Sequence, residues 1–290
     1  MLGNYWSDYT GEDSNRDGMG DMPYAIDGGE VDSYPLIHKI TIPPSFVWVN
    51  PSFNDSFPGW GLDHFVSIST AVGTVQAGGG AFVFPGVYAE NVALNNEITI
   101  SGAGSGETIV EGNGAPAFYI SGQDVRVHDF GVRNCWNDAG ISIFGINAGI
   151  FGCDIYDSYY GIYIHAMNAT VEWSSIHGNS FTGLMMESSQ QSEIKNCSIY
   201  ENNNGVVISS SSYNVVEKNN IISNSVYGLK IQSFSNHNAL SYNLFENNIY
   251  GLHAQQSSGN VIYLNDFIGN VVHATDTGCL LYTSPSPRDS

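Results

Sequence analysis

The sequence predicts an all-β chain folded as a right-handed parallel β-helix, and three observations predict it. Short apolar strands recur behind a small or polar lead residue: AGISIF, YGIYIH, TGLMME, NGVVIS, YGLKIQ and YGLHAQ. Their glycines, Gly140, Gly161, Gly183, Gly205, Gly228 and Gly251, are spaced by 21, 22, 22, 23 and 23 residues. Between them lies an element with apolar residues five apart: Ile150/Ile155, Val171/Ile176, Ile194/Ile199, Val216/Ile221, Leu240/Phe245 and Ile262/Phe267. Three residues past the second of these anchors stand Asn179, Asn202, Asn224, Asn248 and Asn270.

A step of this length holds the two or three short strands of one solenoid coil, whereas a propeller blade needs about twice as many residues. Alternation along each strand sends Ile162/Ile164, Leu184/Met186, Val206/Ile208 and Leu229/Ile231 inward and leaves Tyr163, Met185, Val207 and Lys230 outward. Stacked coils bring equivalent residues into columns. The asparagine column is expected to pass amide hydrogen bonds from coil to coil and to accept a left-handed turn conformation. Asn219, Asn243 and Asn265 form a second column that continues the slot of Cys153, Ser174 and Cys197.

Composition narrows the function classes. Apolar content of 42% supports a sizeable core, and no apolar run approaches the length of a membrane span. The net charge of −20, from 28 acidic and 8 basic residues, argues against nucleic acid or anionic lipid as a partner. It suits a chain that holds cations or stays soluble outside the cytoplasm. Cys135, Cys153 and Cys197 give neither a disulfide framework nor a zinc spacing and read as small buried residues.

Residues 1–42 differ from the repeat. Eight of the 28 acidic residues fall here, at Asp8, Glu12, Asp13, Asp17, Asp21, Asp27, Glu30 and Asp32. Asp13, Asn15, Asp17 and Asp21 follow D-x-N-x-D-G-x-x-D spacing, in which alternate oxygens and a glycine let a loop wrap round a hard cation. Tyr24 stands where an EF-hand has its bidentate Glu, so the pattern is a short Asp-loop calcium candidate or an acidic loop rich in Asx turns.

Pro43-Pro44 marks a boundary, because neither residue continues a ladder. Beyond it Phe65, Ile68, Val72 and Val75 fall on one helical face, predicting an amphipathic capping helix over about 64–77 with Asp63 as N-cap and Gly78-Gly79-Gly80 as its stop. Residues 46–278 are expected to form the β-helix module. The final stretch 279–290, CLLYTSPSPRDS, resembles the translated reading of a sequencing adapter, and with the mid-module opening LGNYWSDY it implies a fragment trimmed on both sides. No signal peptide is visible.

The segment GNYWSDYTGEDSNRDGMGDMPYAIDGGEVDSYPL resembles the closing segment of NosD-like β-helix proteins. PGWGLDHFVSISTAVGTVQAGGGAFVFPGVYAENV resembles the opening of pectate-lyase-like parallel β-helix modules in surface and carbohydrate-active proteins, where a helix plugs the first coil. Residues 1–42 then read as the end of a preceding module. These resemblances imply a periplasmic or cell-surface location and other modules of the same full-length chain as partners. The NosD resemblance also implies copper handling in nitrous oxide reductase maturation.

Catalytic signals are sparse. Arg126 and Arg133 with Asp124, Asp129, Asp138, Asp154 and Asp157 form the one mixed-charge cluster in the sequence, which a lyase acting on acidic glycans would need. The N-T-D, D-D and G-H-G signatures of polygalacturonase-type hydrolases are missing. Copper would draw on His253 and His273, expected to stack on adjacent coils. Tyr160, Tyr163, Tyr227 and Tyr250 supply aromatic faces suited to sugar rings, or else stack on one another between coils. The reading is an extracytoplasmic, non-catalytic scaffold that contacts polysaccharide or cell-surface glycan. A lyase or hydrolase on acidic glycans and a copper-binding maturation protein are its alternatives.

Overall fold

The computed structural model describes residues 6–12, 14, 20–26, 28–33, 35, 43–277 and 279–282. It divides into two compact units, Met1–Pro43 and Pro44–Ser290. In the first unit Tyr24–Ile26 and Glu30–Asp32 pair antiparallel across a turn in which Gly28 and Gly29 take φ of +96° and +85°. Trp6 stacks on Tyr24 at 4.5 Å, and its indole N–H donates to Asp32 at 3.0 Å.

The second unit is a right-handed-type parallel β-solenoid of about nine turns, with three sheets of nine, twelve and nine strands. Successive strands of each coil enter different sheets, and each strand pairs with its counterpart one coil away. The first sheet runs from Val92–Leu94 through Tyr160–Ile164, Thr182–Glu187, Asn204–Ser209, Tyr227–Gln232 and Tyr250–Ala254 to Val272–Asp276. The second ends on Cys279–Tyr282, paired with Ser258–Tyr263. The third carries Gly131–Arg133, Asp154–Tyr156, Ser175–His177 and Ser198–Tyr200.

Both repeated elements of the sequence are core columns. Ile162, Leu184, Val206 and Leu229 are fully buried in the first sheet. Ile150, Val171, Ile194 and Val216 are fully buried in the second sheet, and Ile155, Ile176, Ile199 and Ile221 in the third. The glycine column exists because of close approach. A Cβ on Gly161, Gly205 or Gly228 would stand 2.5–2.6 Å from the glycine carbonyl of the next coil and 2.9 Å from an asparagine amide.

Four corner columns, rather than the two visible in the sequence, carry buried polar side chains. In the best developed, the Asn179, Asn202, Asn224 and Asn248 backbone N–H groups donate to the Oδ1 of the asparagine one coil on, at 3.1, 3.2, 2.9 and 3.0 Å. Each Nδ2 donates to that same Oδ1 and to an isoleucine carbonyl of the preceding coil. In Asn202, Asn224 and Asn248 both amide protons and both lone pairs are used, which makes burial of so polar a side chain tolerable. The second column runs Cys153, Ser174, Cys197, Asn219, Asn243 and Asn265. The other two are Ser189–Ser211–Ser235–Ser257 and Ser192–Asn214–Asn238–Asn260. Among the described residues no buried side-chain nitrogen or oxygen lacks a partner.

Two expectations need correction. The left-handed conformation falls on the residue before each ladder asparagine (Gly178, Glu201, Ser223, Asn247 and Gly269, φ +53° to +62°), and the asparagine itself points inward. The helix spans Ile68–Thr74, shorter than 64–77, and its N-cap is Ser67, whose Oγ accepts the Thr70 N–H at 3.3 Å. Asp63 instead bonds His64 at 2.7 Å, and His64–Phe65 is a strand. Glu90 completes the helix start by accepting from Ser67 Oγ, Ile68 N–H and Ser69 N–H at 2.9–3.0 Å.

Candidate functional site

Outward residues of the first sheet form columns across the coils. One runs Ala139, Tyr160, Thr182, Asn204, Tyr227, Tyr250; its neighbour runs Tyr119, Ser142, Tyr163, Met185, Val207, Lys230, His253. Smaller side chains interrupt the large ones, Thr182 and Asn204 in the first column and Val207 in the second, and these become floors. Val207, although outward, is only 6% exposed because Met185 and Lys230 stand on either side of it. The result is an open groove of about 320 Å³ lined by Phe181, Met185, Asn204, Val207, Tyr227 and Lys230, with Thr182, Asn203, Val226 and Gln232 completing it. It crosses three strands of the first sheet, Thr182–Glu187, Asn204–Ser209 and Tyr227–Gln232.

Aromatic clusters bound the groove at both ends. On the earlier coils Phe181 stacks on Tyr159 at 5.1 Å and meets Tyr160 edge-on at 5.6 Å, while Tyr160 lies 5.8 Å from Tyr163. The Tyr163 hydroxyl donates to Glu187, and burial together with that bond holds the phenol above its ordinary range. Burial also raises Tyr160. On the later coils Tyr227 lies 5.2 Å from both Tyr250 and His253, and Lys230 Nζ sits 5.1 Å above the Tyr227 ring. The four tyrosines singled out in the sequence thus share one face, in two pairs. Phe181, Met185 and Val207 were missed. Their signal is the break in the tyrosine column at Thr182 and Asn204.

The mixed-charge cluster does not assemble. Arg126 lies on the second sheet and donates to the carbonyls of Val125 and Asn147. Arg133 lies on the third sheet, paired with Glu111 at 2.6 Å and hydrogen-bonded to the Tyr156 hydroxyl, contacts that raise its already high pKa. Asp124 accepts from Asn147, Asp138 caps the Ala139 N–H, and Asp154 meets His177 at 3.1 Å. Lys195 and Lys218 pair with Glu193 and Glu217. Among the described residues Lys230 is the one basic side chain without a carboxylate or carbonyl partner.

Metal candidates fare differently. Asp13, Asn15 and Asp17 lie outside the described residues. Asp21 accepts the Ser14 N–H at 2.8 Å, which lowers its pKa. His253 and His273 do not stack. Strand register sets His253 against Thr275, with Nδ1 2.7 Å from the threonine hydroxyl, and His273 lies two residues earlier against Phe267 at 6.4 Å. The thiols of Cys153 and Cys197 are buried, which pushes both up to about 12. Among the described residues no three of His, Cys, Asp and Glu come together. These residues therefore do not fit a copper centre, which needs converging imidazole or thiolate donors.

No curated protein matches the chain. Among solved structures it is similar to pectate lyase Pel9A (15% identity, TM-score 0.60, 83% of this chain and 78% of that one). It is likewise similar to pectin methylesterase from carrot (15% identity, TM-score 0.60, 86% and 91%). A third likeness is to the pre-mature gene product 12 of bacteriophage phi29 (16% identity, TM-score 0.60, 68% and 35%). At such identities these likenesses show the parallel β-helix fold alone. The family model for periplasmic copper-binding protein (NosD) matches residues 83–289, most of the solenoid unit. With that match and the coil architecture described above, the chain belongs to the NosD family.

Proposed function

We propose that this protein is an extracytoplasmic β-solenoid scaffold whose first-sheet groove holds carbohydrate. The observation that carries the reading is the groove itself: an apolar floor at Val207, aromatic walls at Phe181 and Tyr227, and amides at Asn203, Asn204 and Gln232 within one depression. Sugar rings stack on such walls while amides take their hydroxyls. The periplasmic description of the family supports the location. A glycan array followed by calorimetry tests the reading. Binding of an oligosaccharide that weakens about fivefold in Tyr227→Ala or Phe181→Ala, about 1 kcal/mol for a lost ring contact, supports it. An array without binders, or binding indifferent to both substitutions, overturns it.

Three finer points belong to the same reading. The helix Ile68–Thr74 plugs the first coil, supported by the burial of Ile68 and Ala71 against the strands Phe46–Val49 and His64–Phe65. The Asp13–Asp21 loop holds calcium, supported by its oxygen spacing: chelator should lower the melting temperature, and Asp17→Ala should remove that sensitivity. No shift on chelation would sink the calcium assignment. Copper rests on the family description. Tight copper binding in calorimetry that survives His253→Ala and His273→Ala would place its donors elsewhere in the chain.

A further inference from the structure

The groove holds an unspent charge. Of the basic side chains among the described residues, Arg126, Arg133, Lys195 and Lys218 are all held by carbonyls or carboxylates. Lys230 alone is not, and it stands on the groove wall with its Nζ 5.1 Å from the Tyr227 centroid. A ring beneath an ammonium group fixes its position but leaves N–H donors to spare. Its neighbours in the column are Val207 and His253, neither of which is an anion partner, and His253 is turned to Thr275. Glu187 lies two coils back in the Ser209/Gln232 column, where it accepts the Tyr163 hydroxyl. In a chain of net charge −20, a cation left unpaired beside an apolar floor points to a ligand that brings its own negative charge.

We propose that Lys230 is a specificity residue that selects sugars bearing a carboxylate, so that the groove takes a short uronate segment in preference to a neutral one. The sugar ring rests on Val207 and Met185 between the walls of Phe181 and Tyr227, and its carboxylate accepts hydrogen bonds from Lys230 Nζ. The field of the whole chain opposes polyanions at long range. Within the groove the local charge decides, because screening at physiological salt reduces contributions from beyond about 8 Å. This inference rests on the carbohydrate reading of the groove, and its test separates the two.

Calorimetric titration of the full chain compares trigalacturonate, its fully methyl-esterified form and succinate. The expected result is trigalacturonate binding about fivefold to tenfold tighter than the ester, as a partly desolvated ion pair provides. Lys230→Gln is expected to abolish that preference and Lys230→Arg to keep it. Equal affinity for acid and ester, or a preference that persists in Lys230→Gln, overturns the inference. If ester binding is then lost in Tyr227→Ala, the carbohydrate reading stands without it. Succinate binding as tightly as the sugar overturns it in favour of simple anion capture, and no binding of either sugar overturns the inference, while the carbohydrate reading falls with it only if the glycan array also lacks binders.

Discussion

In the earlier coils the corner residues that point into the stack include Val125, Cys135, Ala148, Cys153 and Ala169, all 0–1% exposed, with Ser158 as a polar member among largely apolar ones. In the later coils the equivalent positions are Asn202, Asn214, Asn219, Asn224, Asn238, Asn243 and Asn248, equally buried and fully hydrogen-bonded. Apolar corners add buried area, a term indifferent to small shifts. Amide corners contribute little net energy when satisfied but forfeit several hydrogen bonds if a coil slips by one residue. The later coils thus have their register written in chemistry. The groove lies over them: its floor strand, Asn204–Ser209, starts two residues after Asn202 and ends two before Ser211, members of two separate ladders.

The contrast can be broken most strongly at Asn224. Asn224→Ala strands the Asn202 N–H and leaves the Ile199 carbonyl and Asn248 Oδ1 each short of a donor. At about 1–3 kcal/mol for each unsatisfied buried group, with partial relaxation, the expected loss is about 3–5 kcal/mol in denaturant unfolding. Cys135→Ala, at an equivalent corner of the earlier coils, should cost only about 1 kcal/mol. Equal losses would erase the distinction between the two halves.

Gly205→Ala comes next, with an expected loss of about 2–4 kcal/mol from overpacking, because the added methyl meets the Gly228 carbonyl at 2.5 Å and the Asn224 amide at 2.9 Å. A pH experiment sharpens the second ladder. Burial raises the Cys153 and Cys197 thiols from 9.0 to about 12. The folded state therefore keeps protons that the unfolded state releases above pH 9, and stability should fall as pH rises from about 9 towards 12. The Cys153→Ser/Cys197→Ser variant should show a shallower alkaline fall in melting temperature, and an identical fall would contradict this. The smallest effect is expected at Trp173, 67% exposed in a left-handed corner at φ +55°. Trp173→Gly should stabilise by about 0.5–1 kcal/mol as that backbone strain is relieved.

Much of this was legible in the sequence. Period, strand faces and two ladders followed from spacing alone, since Asn179 to Asn270 and Cys153 to Asn265 hold a fixed offset from an apolar anchor. The other two ladders escaped because their members change identity, as in Ala169, Ser192 and Asn214, and no anchor of constant spacing flags them. The helix start moved because Glu90, more than 20 residues away, supplies acceptors that no local motif reveals. The groove escaped for a similar reason. It arises where Thr182, Asn204 and Val207 are smaller than their neighbours on adjacent coils, and only strand register brings those residues side by side.

An aromatic surface of another kind lies at the start of the solenoid, where Phe46, Trp48, Phe53, Phe57, Phe82 and Phe84 cluster on the second sheet and its lead-in loop. Its rings lie on a different sheet from the groove, so it offers an alternative seat for a sugar within the same chain. The most direct test is a crystal structure of the chain soaked with trigalacturonate. The account predicts sugar density over Val207, between Phe181 and Tyr227, with a carboxylate at Lys230 Nζ. Sugar seated on the Trp48 cluster with the Val207 groove empty would contradict it.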